Sequence, residues 1–226
     1  MTISYMNYAS PDVKFAYDVN KSLFFKKDAQ NYINVLGVGQ LNTLGNSSIL
    51  DIYLSKGNTV EPHIHQNANE LVYCIQGEVA VSLINPFTNE LLNYTIKPGQ
   101  VVNIPQGWWH YETAAADQTH LIAIFDAPTP EVIFGSDILR LTPPEVLAHS
   151  YCLDVNKVKE TLAPIKDTVI IGPPNNCSQQ QQRNEHLNGA YHQDPTVNPY
   201  QAQYQQPTYC PYHQQYHPAQ NQRGFF

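Results

Sequence analysis

Basic residues are scarce in this chain: 12 Lys and Arg stand against 19 Asp and Glu, a formal net charge of -7 over 226 residues. A surface for nucleic acid or anionic lipid needs clustered cations, so neither partner is expected. Long apolar runs are also missing, and no segment approaches the roughly 20 apolar residues of a membrane helix. The opening "MTISYMNYASPDVKFAYDVN" has no basic start followed by an apolar stretch. No cleaved secretory leader is therefore expected, and synthesis in the cytosol is. The four cysteines, Cys74, Cys152, Cys177 and Cys210, include no C-x-x-C pair. Neither a zinc knuckle nor a dithiol redox motif is indicated, and Cys74 and Cys152 are expected to pack as small hydrophobes.

Leu, Ile and Val nearly vanish from Pro173 onward, where Gln, Pro, Tyr, Asn and His dominate. That segment holds four charges, Arg183, Glu185, Asp194 and Arg223, which cancel, so the whole net charge belongs to residues 1–172. Such a composition cannot bury enough apolar area to offset the entropy of ordering it, and a disordered tail over 173–226 is expected. Six tyrosines and two cysteines in the tail suit assembly or cross-linking better than catalysis. In composition it is similar to spore-coat segments, which makes a spore coat a candidate location and assembly partners candidate ligands of the tail.

The remaining chain, with 42% hydrophobic residues overall, has enough apolar material for a real core. Between residues 30 and 140 it reads as short β-rich runs: "YINVLGV", "SSILDIYL", "ELVYCIQG", "EVAVSLI", "LLNYTI", "VVNIP" and "HLIAIF". Gly, Asn and Pro separate them, as in "SKGNT", "NPFTNE" and "KPGQ". Many short strands without a long helical pattern between them predict an all-β sandwich or barrel. Residues 1–29 read as an N-terminal arm. Over 141–172 a helical pair is expected: one helix starts at Thr142-Pro143-Pro144-Glu145, with Thr142 as cap, and the second, capped by Asp154, ends before Pro164.

Within the strands lies "PHIHQNANELVYCIQG", residues 62–77. Alternate residues of a strand share a face, so His63 and His65 point one way, and a turn at "QNAN" brings Glu70 back toward them. A second stretch, "KPGQVVNIPQGWWHYE", returns His110 to the same interior. Three histidines and one carboxylate suit a first-row divalent metal with coordination positions left for water, substrate or dioxygen. A metal also explains why such groups lie where a barrel wants its core.

These stretches spell G57-x5-H63-x-H65-x4-E70-x6-G77 and G99-x5-P105-x-G107-x2-H110. They resemble the two cupin motifs, apart from the Asn that often closes the second, where Ala114 stands. "LNTLGNSSILDIYLSKGNTVEPHIH" is similar to the lead-in strand of plant germins. "FGSDILRLTPPEVLAHSYCLDVNKV" is similar to the segment after the barrel in germins and bacterial oxalate decarboxylases. The resemblance implies a cupin jelly-roll barrel over residues 30–140. It also implies manganese, or less often iron, held by His63, His65, Glu70 and His110, and a homo-oligomer locked by the C-terminal helices. The chemistry implied is oxalate oxidation, superoxide dismutation or carboxylate decarboxylation on a small-molecule substrate; a metal-stabilised barrel serving assembly is the alternative.

Oxalate enzymes need donors for a dianion. Where oxalate decarboxylases carry Arg and oxalate-oxidising germins Asn, this chain has Val60, and where germins carry a second Asn it has Leu50. Both are candidate pocket residues, and so aliphatic a site is expected to bind oxalate weakly. Glu112 shares strand parity with His110 and is a candidate catalytic acid, either turned inward or at the barrel mouth. Glu131 lies at nearly the distance of the decarboxylase lid glutamate and is the second candidate, against the alternative of an exposed loop carboxylate. Trp108 has the parity to wall the site, and Trp109 faces away, toward a subunit contact.

Overall fold

Residues of alternating burial become strands wherever that pattern runs. A computed structural model of the chain describes residues 7–175 and 177. Twelve strands form: β1 Leu23–Lys26, β2 Tyr32–Leu36, β3 Ser48–Leu54, β4 Thr59–Ile64, β5 Glu70–Gln76, β6 Val79–Asn85, β7 Glu90–Ile96, β8 Val101–Ile104, β9 His110–Ala114, β10 Thr119–Phe125, β11 Ile133–Phe134 and β12 Ile171–Gly172. In β10 Thr119, Leu121, Ala123 and Phe125 are buried, and the residues between them are not. In β5 Glu70, Val72 and Cys74 face in. That period of two is what an antiparallel sheet with one covered face requires.

Two sheets stack face to face. One runs β1-β2-β3-β10-β5-β8 and the other β11-β4-β9-β6-β7, with β12 added to β4. All neighbours pair antiparallel. The order mixes distant strands, as in a jelly roll. Ile33, Ile52, Leu54, Val72, Val81, Leu83, Leu121 and Phe125 fill the space between the sheets. On the outside of the first sheet, registered Tyr32, Tyr53 and His120 stack across β2, β3 and β10 at 4.6 and 4.2 Å between ring centres. His120 Nε2 lies 2.6 Å from Asp51 Oδ1.

Three helices follow the barrel, where a pair is expected: α1 Gly135–Leu141, α2 Pro144–Tyr151 and α3 Val155–Leu162. Asp154 caps α3 as read, accepting from the N–H groups of Asn156 and Lys157. Thr142 does not cap α2. It closes α1, its hydroxyl donating to Ile138 O at 2.6 Å, and Pro143 precedes α2 without a side-chain cap. Three elements fall across the expected divisions: β1 lies inside the supposed arm, α1 starts inside the supposed barrel and ends at Leu141, and β12 lies inside the supposed helical extension. Cys74 is buried as expected, but Cys152 is exposed at the left-handed end of α2. The tail from residue 178 on lies outside the described residues.

Gly77, which closes the first motif, is demanded by space as well as by backbone. Its φ is +80°, and a Cβ there would sit 2.7 Å from Thr119 Cα. No side chain fits that approach.

Candidate metal centre

Both sheets contribute to the site. In the β4-β9 ladder His63 stands opposite His110, and Val60 opposite Glu112. Glu70 opens β5 in the other sheet, opposite Phe125 of β10 and Ile104 of β8. Val60 and His63 are three residues apart and would face opposite ways in a regular strand. The register of β4 shifts between them, and both line the same cavity. Gly107, with φ +81°, turns the chain ahead of His110, and its N–H donates to His65 O at 2.9 Å.

Ligand atoms of His63, His65, Glu70 and His110 all lie within 4.8 Å of one another, and all four residues are buried. Each imidazole donates its Nδ1–H to a backbone carbonyl: His63 to Glu61 at 2.6 Å, His65 to Glu131 at 2.8 Å and His110 to Trp108 at 2.8 Å. These bonds fix the rings and leave every Nε2 for the centre, the arrangement that outer partners impose on metal-ligating histidines. His110 Nε2 is 2.9 Å from Glu70 Oε2, and His65 Nε2 is 3.4 Å from the same oxygen. The donor set fits a divalent first-row cation: three imidazole nitrogens and one carboxylate.

Charge is tightly coupled here. Burial alone would raise Glu70, but hydrogen bonds from His110 and His65, and their charge, hold it far below the usual carboxylate range. Burial pushes His63 well below its ordinary value, helped by the nearby His110. The same burial opposes charge on His110, yet the hydrogen bond to Glu70 and the charges of Glu112 and Glu70 outweigh it and hold His110 up at about 9. Glu112 is pushed up to about 8 by burial and by the charge of Glu70.

A pH dependence follows. In the metal-free protein the folded state keeps a proton on Glu112 between about 4.5 and 8, and on His110 between about 6.5 and 9, where the unfolded chain releases it. His63, held below its ordinary value, offsets this below about 6.5, so the folded state carries the excess protons above that pH, and stability falls as pH rises from there to about 9. The thermal midpoint of chelator-treated protein is therefore expected to drop between about pH 6.5 and 9. Saturating Mn(II), which binds the deprotonated ligands, is expected to reverse that slope. Parallel thermal melts with and without metal check both arms.

The other predicted residues divide. Val60 and Leu50 line a cavity of about 310 Å³ that opens from the cluster. Glu112 turns inward: it is 1% exposed, lines the same cavity, and has no hydrogen-bond partner for either carboxylate oxygen among the described residues. Its nearest cation is His110 Nε2, at 3.7 Å. Glu131 does not bring its acid to the cavity; its exposed carboxylate accepts from Gln66 Nε2 at 3.1 Å, and its contribution to the centre is the carbonyl that holds His65. Trp108 does not line the cavity either. Its ring, half-buried against the core, lies 6.3 Å from Phe87, and only its carbonyl reaches His110. Trp109 packs within its own chain, its ring edge 3.0 Å from where a Cβ on Gly135 would stand.

One residue that supports the site escaped the sequence reading. Glu61 is buried on β4, and its carboxylate accepts from Ser136 Oγ at 2.6 Å, Ser136 N at 2.8 Å and Ile170 N at 3.1 Å. It thereby fastens α1 and the 169–170 segment to the strand that bears His63. Ile170 itself lines the cavity with φ +60°, a left-handed conformation that β-branched residues avoid.

Residues 26–159 match the family model for cupins. The chain belongs to the cupin family. Its relatives among curated proteins include germin-like proteins: it is 30% identical over 146 residues to germin-like protein subfamily 2 member 4 of Arabidopsis thaliana, covering 59% of this chain and 64% of that one. The cupin chain spans 58 to 64% of the length of two such relatives. Among solved structures it superposes on oxalate oxidase bound to the substrate analogue glycolate with a TM-score of 0.62 at 20% identity, over 73% of this chain and 87% of that one. Oxalate decarboxylase from Bacillus subtilis matches with a TM-score of 0.62 at 21% identity, over 69% and 40%. At these identities the two structures establish the jelly-roll fold. No helix among the described residues is long and apolar enough to cross a membrane.

Proposed function

We propose that this germin-like cupin holds manganese, with iron as the alternative, through His63, His65, Glu70 and His110, and carries out redox chemistry on a small molecule. One observation carries the reading: three buried imidazoles, each tethered through Nδ1 to a backbone carbonyl, converge with one buried carboxylate at the base of a cavity. Bound there, the ion would supply a one-electron couple and open coordination positions. The protein's own residues would do the rest. Leu50 and Val60 exclude water beside the cluster, the three carbonyls hold the rings, and Glu112 is the group that would take or give a proton at its carboxylate oxygen.

Decarboxylation is the weaker reading, because among the described residues no Lys, Arg or Asn lines the cavity to cradle a carboxylate. Superoxide needs only ligands and access. Full-length protein loaded with Mn(II) and freed of excess metal is expected to consume superoxide, to lose that activity on Glu70→Gln, and to turn over oxalate no faster than the chelated protein. Rapid oxalate consumption, or superoxide consumption untouched by Glu70→Gln, would contradict this.

A second reading is assembly. Leu141, Val146, Tyr151 and Leu153 are exposed apolar residues of the helical region, and the tail composition suits weak association. Under either reading the helices support a homo-oligomer, and under the second the tail would join neighbours, as in a spore coat. Light scattering on the full chain, with and without chelator, separates metal-independent assembly from the enzyme.

A further inference from the structure

The cavity wall is aliphatic and aromatic: Phe24, Ile33, Leu50, Val60, Phe134 and Ile170 form most of the surface above the cluster. Two of its few polar side chains are already engaged. Ser48 Oγ donates to Ala127 O at 2.7 Å, and Gln40 Oε1 accepts from Gly37 N at 3.0 Å. Two carboxylates, Glu70 and Glu112, face this space, and among the described residues no Lys or Arg lines it. Glu70 is occupied by His110 and His65. Glu112 has no hydrogen-bond partner among the described residues, although it is 1% exposed.

An unpaired buried carboxylate is costly, and it needs a donor that the described residues do not provide. Whether ionised or neutral, its oxygens can accept. We propose that the cavity takes a neutral, mainly apolar small molecule that presents a single hydroxyl or N–H donor to Glu112, and that it discriminates against small carboxylate anions. This names the class of organic ligand that the site proposed above would take beside superoxide, and it rests on that reading. A small dicarboxylate has no apolar part to cover Val60 and Leu50, and its outer carboxylate would be desolvated without a donor. An apolar body with one hydroxyl covers the wall and supplies the missing bond. The volume of about 310 Å³ suits a molecule of one or two rings.

The test uses matched probes of one shape: 2-naphthol, which carries a hydroxyl, and 2-naphthoate, which carries a carboxylate, with oxalate as the third. Binding to full-length protein is followed by fluorescence or calorimetry, in Mn-loaded and chelated samples whose metal content is measured. Expected is 2-naphthol binding at least about tenfold tighter than 2-naphthoate in both samples, with oxalate weakest. Glu112→Leu is expected to weaken 2-naphthol by about tenfold, the loss of one good hydrogen bond. Glu112→Gln, which keeps the shape and an acceptor oxygen, is expected to retain most of the affinity. Equal or tighter binding of 2-naphthoate or oxalate would overturn the proposal. So would no measurable binding of 2-naphthol, or Glu112→Leu without effect in a folded variant. Protein that takes 2-naphthol but retains no manganese would overturn the metal reading and keep this one; manganese retained with the carboxylate preferred would do the reverse.

Discussion

Replacing Glu61 by alanine is expected to destabilise the protein by several kcal/mol, since each buried donor it strands costs about 1–3 kcal/mol. The carboxylate accepts from Ser136 N and Oγ and from the N–H groups of Ile170 and, at 3.3 Å, Val169. Alanine leaves those donors buried and unanswered. The loss should extend beyond stability, because these bonds hold α1 and the 169–170 segment against β4, and Ile170 lines the cavity. Denaturant unfolding of chelated protein measures the first effect. Glu61→Gln keeps an acceptor oxygen and is expected to cost less than alanine. Equal stability of wild type and Glu61→Ala would show that the network contributes nothing.

Glu70→Gln is expected to abolish metal retention, a larger effect than the roughly 10–100-fold loss in affinity that accompanies removal of an outer partner. The substitution preserves shape and removes the negative charge that His65 and His110 face. His110 would keep an acceptor oxygen but lose the Glu70 charge that helps to raise it. Glu131→Ala provides the contrast. Its side chain reaches only Gln66, whereas the carbonyl that holds His65 survives any substitution. Metal content and stability close to wild type, within about 0.5 kcal/mol, are expected for that surface change. Calorimetric titration with Mn(II) compares the two.

The four clustered residues were legible because strand parity and motif spacing are local rules, and each rule names a side chain. Val60 and Leu50 were legible by offset from His63. Glu112 was legible to within two outcomes, since parity with His110 gave the direction but not whether water reached it. For Glu131 the exposed loop carboxylate, and for Trp108 a place outside the cavity, agree with the alternatives weighed beside the site roles; what no sequence pattern marks is that their backbone carbonyls hold His65 and His110. Glu61 was missed because its partners lie 75 to 109 residues away. The register shift in β4, which turns Val60 and His63 to one side, left no signal either. Helix α1 went unread because it is seven residues long and starts at Gly135 without a side-chain cap, so neither length nor capping chemistry announced it.

The most direct test of the central claim is elemental analysis of purified full-length protein beside a Glu70→Gln/His110→Ala double variant, both verified as folded by near-ultraviolet circular dichroism. About one Mn or Fe per chain in the wild type, absent from the double variant, is the expected result for a site of four protein ligands. Well-folded wild type without a first-row metal after growth and dialysis in manganese, or the same metal content in both proteins, would contradict it.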